Sequence, residues 1–135
     1  MDEISENAEG ALELAALKAR GREALERARA AKAEAARLRE AGDQHATRAK
    51  ELVRRSFKIE SDAAELEARG EVAGARAQRE LVSRMREAGE KAFALADRLG
   101  EKAAELERER YRQKRLAEEL ADRIRAMTEG RRPPG

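Results

Sequence analysis

Residues 21–70 read GREALERARA AKAEAARLRE AGDQHATRAK ELVRRSFKIE SDAAELEARG, and every seventh residue of the stretch is small. The series is Gly21, Ala28, Ala35, Gly42, Ala49, Ser56, Ala63 and Gly70. Gly, Ala and Ser supply 43 of the 135 residues. Eight small residues in one phase would arise by chance roughly once in a thousand such chains, with all seven phases allowed for. A companion series, offset by three, reads Leu17, Ala24, Ala31, Leu38, His45, Leu52, Ile59, Leu66 and Ala73. Together they have the spacing of the two seam positions of a coiled coil, one almost purely small and one often Leu or Ile. A small seam lets a second helix backbone come close.

Composition supports long helices. Ala, Glu, Lys, Leu and Arg make up 96 of 135 residues, and the only prolines are Pro133 and Pro134. All five are strong helix formers. Leu, Ile, Val, Met and Phe number only 24, too few for a thick globular core. Order must therefore come from helix propensity, charge pairing and a thin seam, helped by self-association. The net charge is +2, and there is no Cys, which excludes disulfides, thiolate metal sites and a thiol nucleophile. The first 14 residues are acidic, without the basic start of a signal peptide, and no apolar run is long enough to span a bilayer. A soluble, cytoplasmic protein of bacterial composition, with no membrane partner, is the expectation.

Residues 1–9 form an acidic lead-in with Ser5 and Asn7 as candidate N-caps. The seven-residue phase then holds from about Gly10 to Arg69. Gly70 and Gly74 mark the best break, with Gly70 as a left-handed C-cap and Glu71 in the first turn of the next helix. The predicted fold is all-α: a long antiparallel helical hairpin in one domain (1–130), with helices near 10–69 and 72–129 and a turn at 70–74. Residues 131–135 are expected to be a disordered tail. The alternative is an up-down four-helix bundle with further turns at Gly42 and Gly100.

Seam candidates in the second helix are Leu81, Met85, Ala88, Ala92, Leu95, Leu99, Leu106, Gln113, Leu116, Leu120 and Met127. Folding back at residue 72 pairs positions whose numbers sum to 144, for example Ile59 with Met85, Ser56 with Ala88 and Ala49 with Leu95. Three layers then pair badly: Gly42 with Lys102, Ala35 with Glu109, and Gly21 with Arg123. Leu12, Leu25, Phe57, Val82 and Phe93 fall off the seam, which predicts a homodimer or higher oligomer.

Chemistry-bearing residues are scarce. His45 is the only histidine, and it lies on the seam with no carboxylate pair converging on it. No nucleophile–base set can be assembled, so an enzyme is not expected, and no metal or cofactor is implied. Most charges pair at i and i+4, as in Glu23–Arg27, Glu51–Arg55, Glu65–Arg69, Glu80–Arg84, Glu87–Lys91 and Glu119–Arg123, and form a solvated face. One cluster exceeds that pattern. Between 108 and 115 the chain carries Arg108, Arg110, Arg112, Lys114 and Arg115 against Glu109 alone, with the only Tyr at 111. In the folded-back register Arg29 and Lys32 lie opposite, with Arg37 and Arg39 nearby and Lys18, Arg20 and Arg22 further along. Such a cluster can bind a polyanion through phosphate contacts. Without interleaved aromatics it would not read sequence.

Gly89-Glu90-Lys91-Ala92 recurs as Gly100-Glu101-Lys102-Ala103, eleven residues on. An eleven-residue spacing relaxes a left-handed supercoil locally. With the high Ala content and the absence of Cys and Trp, residues 89–110 resemble late-embryogenesis-abundant stress proteins, although Arg and Leu stand where that family prefers Lys and Thr. The resemblance implies a stress-protective helical protein that is disordered when hydrated, whereas the regular seam predicts a folded state. Three functions are thus expected, in order. The first is a non-catalytic coiled-coil scaffold that self-associates and presents helical surface to a protein partner. The second is non-specific nucleic-acid or polyanion binding through the basic cluster, and the third is stress protection.

Overall fold

The computed structural model describes the backbone of residues 2–130 and the side chains from Glu6 onward. Among the described residues there are two helices, α1 (Asp2–Ala68) and α2 (Val72–Glu129), and no strand. They form the predicted helical hairpin. The four-helix alternative is overturned, because Gly42 and Gly100 both lie inside unbroken helix. A lone glycine costs a helix about 1 kcal/mol, whereas a turn would give up several backbone hydrogen bonds and a costly second nucleation. The helix α1 also starts at Asp2 rather than near residue 10, so positions 5 and 7 lie inside it rather than at its start. Its acidic first turns are helix-compatible and suit the positive end of the dipole. The predicted disordered tail, 131–135, lies outside the described residues.

The connection is tighter than the predicted 70–74. Gly70 has φ +79°, the left-handed region that favours glycine. Its N–H donates to the Glu67 carbonyl at 3.0 Å, and the Glu71 N–H donates to the Leu66 carbonyl at 2.9 Å. That pair of bonds is the Schellman closure of a helix end. Glu71 sits just ahead of α2 rather than in its first turn, and its carbonyl accepts the Ala75 N–H at 3.1 Å. Gly70→Ala is expected to cost about 1–2 kcal/mol, because a Cβ strains the left-handed conformation. Gly74→Ala is expected to cost nothing, since its Cβ would meet Leu66 Cδ1 at an ordinary 3.5 Å. Urea denaturation of the two variants checks the contrast.

Contacts divide the chain into two compact units, one of residues 36–103 and one of residues 1–35 with 104–135. In the first, Gly42, Ala49, Ser56 and Ala63 of α1 are buried, and so are Ala75, Val82, Gly89 and Ala103 of α2. The residues on α2 are also seven apart, with half-buried Ala96 in the same line. A small seam therefore faces a mostly small one, with Val82 as its larger member. A Cβ on Gly42 would stand 3.5 Å from the Ala96 carbonyl oxygen, and one on Gly89 would stand 3.6 Å from the Ala49 carbonyl oxygen. At these two contacts, side chains larger than Ala or Ser would hold the backbones further apart. Ser56 keeps its buried hydroxyl satisfied by donating to the Val53 carbonyl at 2.6 Å.

This arrangement keeps one line of the predicted α2 seam, with Met85, Ala92, Leu99, Leu106, Gln113, Leu120 and Met127 buried or half-buried, and corrects the other. Leu81 and Ala88 are exposed, and Val82 and Gly89 take their places, so Val82 is a core residue rather than one left off the seam. The line Ala75, Val82, Gly89, Ala96, Ala103, Arg110, Ala117 and Ile124 runs through both copies of the eleven-residue repeat without a phase shift. The pairing is corrected too. Gly42 faces Ala96 rather than Lys102, and Ala49 faces Gly89 rather than Leu95. In the other unit Gly21 shares a groove with Ala117 rather than Arg123, and Ala28 shares one with Arg110. Each of these pairs sums to 138, not 144. In an antiparallel pair the two seam lines occupy opposite sides of the contact and each meets its own kind, so one fold-back number cannot serve both.

Ion pairs flank the small seam. Glu67 binds Arg79 and Glu60 binds Arg86, each joining α1 to α2. The hydrogen bond from Arg79, and then its charge, hold the Glu67 carboxyl below its ordinary range. Both pairs are exposed, so they set register more than they add stability. Along the helices, Glu23–Arg27, Glu51–Arg55 and Glu87–Lys91 form at 2.8, 2.7 and 3.5 Å.

Candidate polyanion-binding surface

The unit of residues 1–35 and 104–135 carries the basic cluster. Its core is thin: Leu17, Ala24, Ala28, Ala31 and Ala35 of α1, with Ala117 and Leu120 of α2. Arg110 occupies a position that the small series reserves for a small residue. It lines a groove with Ala28, whose small side chain leaves room for the arginine stem while the guanidinium reaches the rim. There the guanidinium donates to Glu107 at 3.2 Å and stands 5.6 Å from the centre of the Tyr111 ring.

The structure brings four of the predicted residues together. Arg29 and Lys32 from α1 and Arg110 and Lys114 from α2 line one shallow groove, floored by Leu25 and Ala28. Lys114 also borders a second groove with Tyr111, Arg112, Arg115 and Glu118. Arg108 is exposed and lines neither. Arg112 is turned back along its own helix, donating from Nε to Glu109 at 2.9 Å. The Glu109 carboxyl lies below its ordinary range, first through the Gln113 hydrogen bond and then through that of Arg112. Gln113 donates to it at 2.8 Å, while its own amide oxygen is buried without a hydrogen-bond partner.

A third groove in this unit adds Lys18 and Arg22 beside Gly21, Leu25 and Ala117. Along α1 the positions 18, 22, 25, 29 and 32 alternate spacings of four and three, which places them on one stripe. That spacing is visible in the sequence, but Lys18 and Arg22 join the site only once Leu25 is seen to be shared by two grooves. Arg37 and Arg39, expected nearby, and Arg20, expected further along, line none of the three grooves.

Lys32 and Lys114 each stand four residues beyond a small-series position, Ala28 and Arg110. Glu60 and Arg86 hold the equivalent places beyond Ser56 and Val82, and so do Glu67 and Arg79 beyond Ala63 and Ala75. At those two rungs the charges are opposite and form ion pairs. At the Lys32–Lys114 rung they are alike, with Arg29 and Arg110 beside them.

No family model, curated protein or solved structure matches the chain.

The remaining residues of chemical interest have structural places. His45 is half-buried on the companion series, beside the small seam of the 36–103 unit. Among the described residues, no group of three or more His, Asp or Glu side chains is arranged to hold a metal ion. No helix among them is long and apolar enough to cross a membrane.

Proposed function

We propose that the protein is a non-catalytic coiled-coil scaffold that self-associates and offers helical surface to a protein partner. The observation that carries this reading is the set of large apolar side chains that the hairpin leaves exposed. The small positions of α1 and α2 cover one another, and Leu12 (72% exposed), Phe57 (62%), Leu25, Leu81 and Phe93 remain outside. Phe57 follows Ser56, and Phe93 stands one turn beyond Gly89, so both lie on the side of the small seam in the 36–103 unit. Arg86 covers part of Phe57, with its guanidinium 5.7 Å from the ring centre. A close seam built mainly of small residues leaves no room to swing these larger side chains inward, and another helix would cover them. A second copy supplies such a helix without further invention.

Light scattering on the eluting protein is expected to give at least twice the 15.0 kDa chain mass at micromolar concentration. The variant Phe57→Glu/Phe93→Glu is expected to shift that mass toward one chain while far-ultraviolet circular dichroism stays helical. A cooperatively folded monomer in the unaltered protein would sink the proposal.

A further inference from the structure

The like-charged rung of the 1–35/104–135 unit has a consequence beyond self-association. In the groove of Arg29, Lys32, Arg110 and Lys114, only Arg110 has a carboxylate partner among the described residues. Lys18 and Arg22 continue the face, and neither this groove nor the one they line contains an acid. Six cations on one face repel one another in the free protein, and an opposite charge at Lys32 or Lys114 would relieve this, as Glu60 does for Arg86. The chain thus carries an electrostatic cost at a place where the same fold elsewhere uses ion pairs.

We infer that this groove binds the phosphodiester backbone of a DNA duplex, whose phosphates supply the anions that the Lys32–Lys114 rung lacks. Cations rise from both helices around a shallow channel, which suits a narrow ridge of phosphates better than a flat surface. Leu25 is its one large exposed apolar side chain, too little for insertion into a bilayer. Tyr111 is a single aromatic, so contacts stay with the backbone and do not read bases.

The test uses the full chain and a mixed-sequence duplex of about 20 base pairs. With some four or five phosphates neutralised, the logarithm of affinity falls against the logarithm of salt with a slope near −4, or roughly 200-fold between 50 and 200 mM. Lys32→Glu is expected to weaken binding at least tenfold at 50 mM salt. The same substitution is expected to raise the melting temperature by about 2–4 °C, because it turns a repulsive rung into an ion pair. Lys58→Glu, at an exposed position of the 36–103 unit, changes the net charge equally and is expected to reduce binding less than threefold. Four outcomes would overturn the inference. These are no binding at 50 mM salt, equal losses from Lys32→Glu and Lys58→Glu, a lowered melting temperature in Lys32→Glu, or tighter binding to phosphatidylserine vesicles than to the duplex.

Discussion

Ala49→Leu is expected to destabilise the fold by about 3 kcal/mol, the upper end of what overpacking costs at a site that cannot relax. Ala49 is fully buried, and its carbonyl oxygen lies 3.6 Å from the place a Cβ would occupy on Gly89. Three added carbons must either push the two backbones apart or rotate the helix off its seam. Pushing them apart would loosen the neighbouring small layers as well, because the place a Cβ would occupy on Gly42 lies a similar 3.5 Å from the Ala96 carbonyl oxygen. Ala49→Ser is the matched control. Its added oxygen can bond back to the preceding turn, as the Ser56 hydroxyl does to Val53, and its cost should stay within about 1 kcal/mol. Thermal melts followed by circular dichroism separate the two. Equal midpoints for Ala49→Leu and the unaltered chain would mean that the helices do not approach through their small residues.

The double variant Gly21→Ala/Gly42→Ala is expected to move stability the other way, by about 2 kcal/mol, or some 5–8 °C in melting temperature. Both glycines lie inside α1 without positive φ, so each keeps the entropic cost of glycine with no conformational need for it. A Cβ at Gly21 would meet nothing within 4 Å, and one at Gly42 would make ordinary contacts of 3.5 and 3.6 Å with Ala96 and Leu99. The two sites share no neighbour, so their effects should add. Gly70→Ala, the same chemical change at φ +79°, is expected to destabilise. A melting temperature unchanged or lowered in the double variant would show that the helix path at Gly42 depends on the absence of a methyl group.

Part of the basic groove could be read from the chain and part could not. Arg29, Lys32, Arg110 and Lys114 were expected to be neighbours, because a hairpin closing near Gly70 brings residues near 30 beside residues near 110, whatever the exact register. Arg108 and Arg112 were grouped with them by sequence adjacency, but successive residues on a helix point about 100° apart. Adjacency on the chain is therefore no guide to sharing a groove. Lys18 and Arg22 are far from the cluster in sequence yet border the same Leu25. The like-charged rung was invisible for another reason: it depends on a register two or three residues finer than a single fold-back number supplies.

By itself the sequence determined that this is a helical chain with one reversal and a seam of small residues on α1. Helix propensity and the seven-residue phase are local properties, and a lone glycine at 42 or 100 is too weak a signal to override them. The left-handed turn at Gly70 was legible on the same terms, since a second glycine follows within five residues and the small series reaches its last member there. Only the tertiary structure decided which face of α2 meets that seam. On α2 the larger Leu81 and Leu95 stand next to the true contact line and outweigh it in any reading based on side-chain size. Packing decides otherwise because two small seams bring the backbones closer than one small and one large seam would. Dispersion and exclusion of water are both gained over the whole length of a close contact, whereas a leucine lying beside it contributes from the rim.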